Sequence, residues 1–244
     1  IDTLGSPDHY NHYAWGWANA GNTPFKRWKK ETFRGGTSDM FVISWPAKIE
    51  ADGKWRHQYG HAIDMVPTVL DLIGIDPPES IKGVKQDPIE GVSLAPTVTN
   101  ADAADVHTTQ YYEVLGSRSI YHEGWRAECG YPGPNYKTGK ERGHTVGDPI
   151  HAKDIEELDK VWELYDLRSD PTERNDLAKE NPDKLKELID LWYSEAKKYN
   201  VLPLQGTVGQ RVSFPRPRPG RATDKHVYFP GAPVAAHVAP NTYN

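Results

Sequence analysis

From Asn181 to Tyr199 the chain carries its longest helical period: Leu185, Leu188, Ile189, Trp192, Ala196 and Tyr199 recur so as to fall on one stripe of a helix. Asn181 and Pro182 mark its start, the first as a cap and the second at the first helical position. One apolar stripe needs one apolar partner. The segments ahead of it supply that partner, because 108–114, 119–121, 124–127 and 161–167 are short runs of alternating character bounded by turn residues. Paired side by side they predict a small antiparallel sheet crossed by one long amphipathic helix, a compact α+β unit. Asp170-Pro171-Thr172-Glu173 predicts the turn between the last strand and the helix.

The first part of the chain patterns differently. Met40-Phe41-Val42-Ile43-Ser44-Trp45, stopped by Pro46, is a continuous apolar run of the kind expected of a strand buried on both faces of a parallel sheet. Residues 61–74 predict a helix with Asp64 as cap, Pro67 in its first turn and Gly74 as a left-handed end. Its Val66, Val69, Leu70 and Ile73 are expected to lie on that sheet, giving a strand-to-helix unit of an α/β domain. Residues 1–34 are rich in aromatics, Gly, Asn and His and read as a long ordered loop followed by a short helix near 24–31. Residues 76–106, rich in Pro, Gly and Asp, mark a crossing between units. The expected division is therefore an α/β part over 1–104, an α+β subdomain over 105–202 and an irregular Pro-rich arm over 203–244.

Composition narrows the partners. A net charge of -5 over 244 residues, with both signs interspersed, recommends neither nucleic acid nor an anionic membrane. No apolar stretch reaches transmembrane length. Cys129 is the single cysteine, so no intramolecular disulfide forms. His57 and His61 stand four apart without a third ligand, and a zinc site needs three or four.

Four segments, in order, resemble a known family: Asn11-His12-Tyr13-Ala14-Trp15-Gly16-Trp17 leading to Thr23-Pro24-Phe25-Lys26; Gly35-Gly36 before the run ending Ser44-Trp45-Pro46; residues 61–74; and Tyr165-Asp166-Leu167 with Asp170-Pro171-Thr172-Glu173. The ordered set is similar to the type I, formylglycine-dependent sulfatases, in particular bacterial arylsulfatases of the alkaline-phosphatase-like superfamily. The resemblance implies the C-terminal part of that α/β fold followed by the small α+β subdomain. It implies hydrolysis of an aryl sulfate ester to a phenol and sulfate, by a formylglycine made from cysteine beside a divalent cation, usually calcium. The family lysine that matches Lys26 contacts the sulfate oxygens near the leaving group, where an ammonium stabilises developing negative charge. His12 is expected at the substrate mouth, while Trp15, Trp17 and Phe25 either stack on an aryl ring or anchor the loop.

The same resemblance shows what is missing. Cys129-Gly130-Tyr131-Pro132-Gly133 lacks the Pro or Ala and the Arg of the Cys-X-Pro/Ala-X-Arg cassette, so Cys129 is not the expected nucleophile. The family's Asp-Asn metal pair occurs nowhere in the chain, so no metal ligand is assigned. The expectation is a C-terminal portion, inactive alone, whose partners are a small-molecule sulfate ester and the missing N-terminal part of the same enzyme. Arg34 stands where many relatives have an acidic residue before the paired glycines, which bears on subfamily and substrate. Two other readings stay open: a phosphonate monoester or phosphodiester hydrolase of the same superfamily, and a non-catalytic packing or binding module.

Overall fold

The computed structural model describes residue 13 and residues 15–29, 31–50, 53–130 and 161–204. The 203–244 arm beyond Leu204 lies outside the described residues. A four-stranded antiparallel sheet in the order β3 (Thr109–Val114), β4 (Ser117–His122), β5 (Trp125–Cys129), β6 (Glu163–Asp166) is crossed by α5 (Pro182–Lys198). The first two connections are two-residue hairpin loops, Leu115-Gly116 and Glu123-Gly124, with positive φ at all four residues. That conformation matches the twist of the flanking strands.

Alternation gives this sheet two unlike faces. One is apolar: Ile120, Ala127, Cys129, Trp162 and Leu164 pack against Leu188, Trp192 and Ala196 of α5, and Leu204 closes the cluster. The opposite face is polar, with the cross-strand rows Tyr112, Ser119, Glu128, Glu163 and Gln110, Tyr121, Arg126, Tyr165. Residues from the first third of the chain settle on this polar face.

The chain ahead of the sheet holds α1 (Trp15–Asn22), α2 (Arg34–Thr37), a 3-10 turn (Ala62–Asp64) running into α3 (Met65–Ile73), the hairpin β1 (Ser80–Ile81) with β2 (Val84–Lys85), and α4 (Ala95–Thr99). The helix expected near 24–31 is absent; α1 comes earlier and stops before Thr23-Pro24. A residue preceding proline is driven out of the helical region, and Arg27 at φ 65 lies in the left-handed region that no helix can pass.

The largest departure is the Met40 to Trp45 run, which forms no strand: Met40 is 100%, Phe41 61% and Val42 86% exposed. A strand exists only beside a neighbour that takes its hydrogen bonds, and no described residue runs alongside this one. The helix expected to cover it shows the same inversion. Val66, Val69 and Ile73 of α3 are exposed, while the buried residue of the helix is Thr68, whose hydroxyl donates to Asp64 O at 2.6 Å and accepts from Leu94 N at 2.8 Å. Gly74 ends α3 in the left-handed conformation, at φ 69. Asp64 makes no side-chain cap to α3 itself; its buried carboxylate accepts from His61 N and Val92 N at 2.7 and 2.9 Å and lies 2.7 Å from His107 Nδ1. Asp64 thereby ties the start of α3 to the lead-in of β3.

Candidate functional site

The site grows from a folded-back loop. Asn22, at the end of α1, donates from Nδ2 to Arg27 O at 2.9 Å and to Gly35 O at 2.6 Å, and Gly35 N donates to Lys26 O at 2.8 Å. The paired glycines are what allow so close an approach. A Cβ on Gly35 collides with the Lys26 and Arg27 carbonyls, and one on Gly36 with the Glu31 and Trp28 carbonyls, all backbone atoms that cannot swing aside.

This fold-back aims Lys26 at the polar face of the sheet. Its Nζ donates to Tyr165 Oη at 2.7 Å, lies 3.4 Å from Glu163 Oε2, and stands 4.6 Å from the Tyr165 ring centre and 5.3 Å from that of the buried Phe33. The side chain stays 35% exposed, so an ammonium with three donors keeps one side open to solvent. The Tyr165 hydroxyl donates in turn to Glu163 Oε2. Burial first, and then the Glu163 carboxylate, raise the Tyr165 pKa and keep it a neutral donor.

Beneath the loop lies a buried ionic cluster. The Arg126 guanidinium donates to Glu128 Oε1 and to Thr32 O, and at 3.0 Å to both Thr37 Oγ1 and Ser119 Oγ. Its Nε also lies 3.4 Å from Glu173 Oε1. Burial works against the Arg126 charge, but Glu128 and Glu173 outweigh it and hold the group cationic. Burial likewise pushes Glu128 well above the ordinary carboxylate range despite Arg126. Burial raises Glu173 too, against the pull of Arg126 and the Arg34 amide. Lys26, Arg34 and Arg126 thus share one cluster with Glu128, Glu163 and Glu173, three basic groups against three acidic ones.

The other expected site residues are not gathered here. His12 lies outside the described residues, and Trp15 starts α1 with its side chain likewise outside them. Trp17 projects from α1 at 69% exposure. Phe25 is half-buried with the Arg34 guanidinium 4.5 Å over its ring, an anchoring contact. His61 accepts from Ile63 N in the 3-10 turn, where burial and then His107 depress its pKa. Among the described residues no group of three or more His, Cys, Asp or Glu is arranged to hold a metal ion, so the calcium implied by resemblance does not fit them. Cys129 is buried and accepts from Arg118 Nη2 at 3.0 Å; Arg118 lies between the Trp162 and Trp192 rings, 5.3 and 5.5 Å from their centres. That thiol belongs to the α5 core.

Sequence reasoning passed over Arg126, Glu128, Glu163 and Glu173. The signal was present for the strand pairs: Arg126 and Glu128, or Glu163 and Tyr165, two apart, place charge or hydroxyl on one face of a strand whose other face is apolar.

Comparison with known proteins returns sulfatases. The chain is 29% identical over 163 residues to an N-acetylglucosamine-6-O-sulfatase of Bacteroides thetaiotaomicron, covering 65% of this chain and 25% of that protein. It is 27% identical over 166 residues to human N-acetylgalactosamine-6-sulfatase, covering 64% and 29%, and 34% identical over 95 residues to an arylsulfatase of Klebsiella aerogenes, covering 38% and 20%. The chain thus spans between 20% and 29% of the length of these relatives. No protein-family model matches it. A solved structure, Ps i-CgsB, is 18% identical with a TM-score of 0.49, over 78% of this chain and 36% of that one.

Proposed function

We propose that this chain is a C-terminal portion of a sulfatase and that Lys26 supplies a cation to the sulfate group. The observation that carries the reading is the extended similarity to sulfatases over 163 residues, 65% of the chain. The partly exposed ammonium of Lys26 supports it, because a sulfate ester is an anion and gains negative charge on its leaving oxygen as the ester bond breaks. In this reading Tyr165 and Glu163 orient the ammonium, and its open side meets the ester. The formylglycine and the divalent cation reside on polypeptide outside this chain, so the chain alone does not turn over. The Glu163 contact favours a second role for Lys26, as a tether between loop and sheet, with an exposed neighbour such as Lys29 binding the anion instead.

The ester is proposed as aryl or carbohydrate sulfate. Aryl sulfate follows from the residue-level resemblance; a 6-O-sulfated amino sugar follows from what the N-acetylglucosamine-6-O-sulfatase and N-acetylgalactosamine-6-sulfatase relatives are named for. The test is a set of rates. The pure chain is expected to leave 4-nitrophenyl sulfate intact, and co-expression with an N-terminal sulfatase half to restore hydrolysis of that ester or of a 6-O-sulfated N-acetylhexosamine. Lys26→Ala should then lower kcat by about 10²-fold or more, as loss of a transition-state donor does. Turnover by the chain alone overturns the portion reading. A loss on Lys29→Ala with Lys26→Ala near wild type moves the cation to Lys29, and faster cleavage of a phosphonate monoester than of any sulfate assigns the other hydrolase class.

A further inference from the structure

We infer that Glu173 and Arg126 are positioning residues, which clamp the Gly35-Gly36 turn, and with it Lys26, to the polar face of the small sheet. The functional consequence rests on the proposed role of Lys26; the clamp rests on geometry. Glu173 comes from the turn after β6, 147 positions from Lys26 (173 minus 26). It sits at φ 57, a backbone region uncommon for a side chain of its size, with its carboxylate fully buried. From there Oε2 accepts from Arg34 N at 3.0 Å, at the start of α2. Oε1 lies 3.4 Å from Arg126 Nε, an ion pair without hydrogen-bond alignment. The Arg34 guanidinium reaches back to the same turn, its Nη1 donating to Pro171 O at 2.6 Å.

Arg126 grips the other side of the loop. It donates to Thr32 O, ahead of α2, and to Thr37 Oγ1, on the last residue of α2, and Thr32 O also accepts from Ser119 Oγ at 3.2 Å. Between these two grips Gly35 N donates to Lys26 O. A continuous path of bonds therefore runs from the buried carboxylate through Arg34 and Gly35 to the lysine backbone. The core cluster under α5 lies on the opposite face of the sheet from this path. The loop can loosen while the core stays intact.

Amide hydrogen exchange on the 244-residue chain tests this without any turnover, so a failed sulfate assignment and a failed clamp are separate outcomes. Glu173→Ala is expected to speed exchange at the Gly35 and Gly36 amides about tenfold or more, as loss of a buried charged acceptor allows local opening. Amides of Leu188 to Ala196 in α5 should keep their wild-type rates. Glu173→Gln, which keeps an acceptor oxygen, should restore most of the protection. Arg34→Ala, which removes the side-chain bonds to Pro171 O and Ser38 Oγ but keeps the backbone N–H that Glu173 accepts, should speed the same amides about threefold. Equal acceleration in α5, no acceleration at Gly35 and Gly36, or Glu173→Gln as fast as Glu173→Ala each overturns the assignment. If Glu173→Ala does not fold, unchanged loop amides in Arg34→Ala overturn it alone.

Discussion

Glu31 shows how far burial alone can change a residue of this loop. Its side chain is buried, and desolvation, opposed by Arg27, pushes its pKa from 4.5 up to about 7. The folded chain then binds this proton more tightly than the unfolded chain. The stability it contributes is fully present below pH 4.5 and is lost as pH rises through about 7. A shift of that size corresponds to about 3 kcal/mol at most. His61 acts in the opposite direction, since a depressed histidine contributes stability that is lost as pH falls. The difference between wild type and Glu31→Gln isolates the glutamate: wild type should lose stability relative to the variant between pH 4.5 and 7 in urea titrations. A constant difference across that window contradicts the assignment.

At the scale of elements, α5 is the piece on which the small sheet depends. Trp192 is fully buried, meets the edge of the Tyr193 ring at 5.0 Å, and donates from Nε1 to Tyr112 O at 3.1 Å. Trp192→Ala should cost roughly 3–5 kcal/mol in urea unfolding, and a cost under about 1 kcal/mol would show the core to be set elsewhere. This element and strands β3 to β6 were legible in the sequence, because their signals are local: a helical stripe and alternation. Met40 to Trp45 was misread for a physical reason. An apolar run records that a segment is suited to burial, whereas strand formation also needs a partner, which a single segment cannot encode. In the candidate site Lys26 was singled out only through the resemblance; the spacing of Glu163 and Tyr165 places them on one strand face, but their contact with Lys26 across 137 and 139 residues leaves no local pattern.

For the molecule as a whole, the two ends of the described chain carry opposite surfaces. The α5 side is closed, with a charged outer face braced by Lys186 and Asp190. Val66, Val69 and Ile73 of α3 are exposed to solvent, as are Met40, Phe41, Val42 and Trp55 ahead of it in the chain. Apolar exposure on that scale favours self-association. Val66→Lys with Val69→Ser should raise the concentration at which the chain stays monodisperse in light scattering, with a change in stability of about 0.5 kcal/mol or less because neither residue is buried. A marked fall in melting temperature would place these valines in a core. Strand β6 has one further consequence. Leu164 belongs to the helix-side core while Glu163 and Tyr165 reach for Lys26, so four residues serve two layers by strict alternation. Inserting or deleting a single amino acid there exchanges the tenants of both layers at once, seating a leucine beside the ammonium and a phenol in the oil. Heritable variation in length should therefore be tolerated on either side of this strand and purged within it.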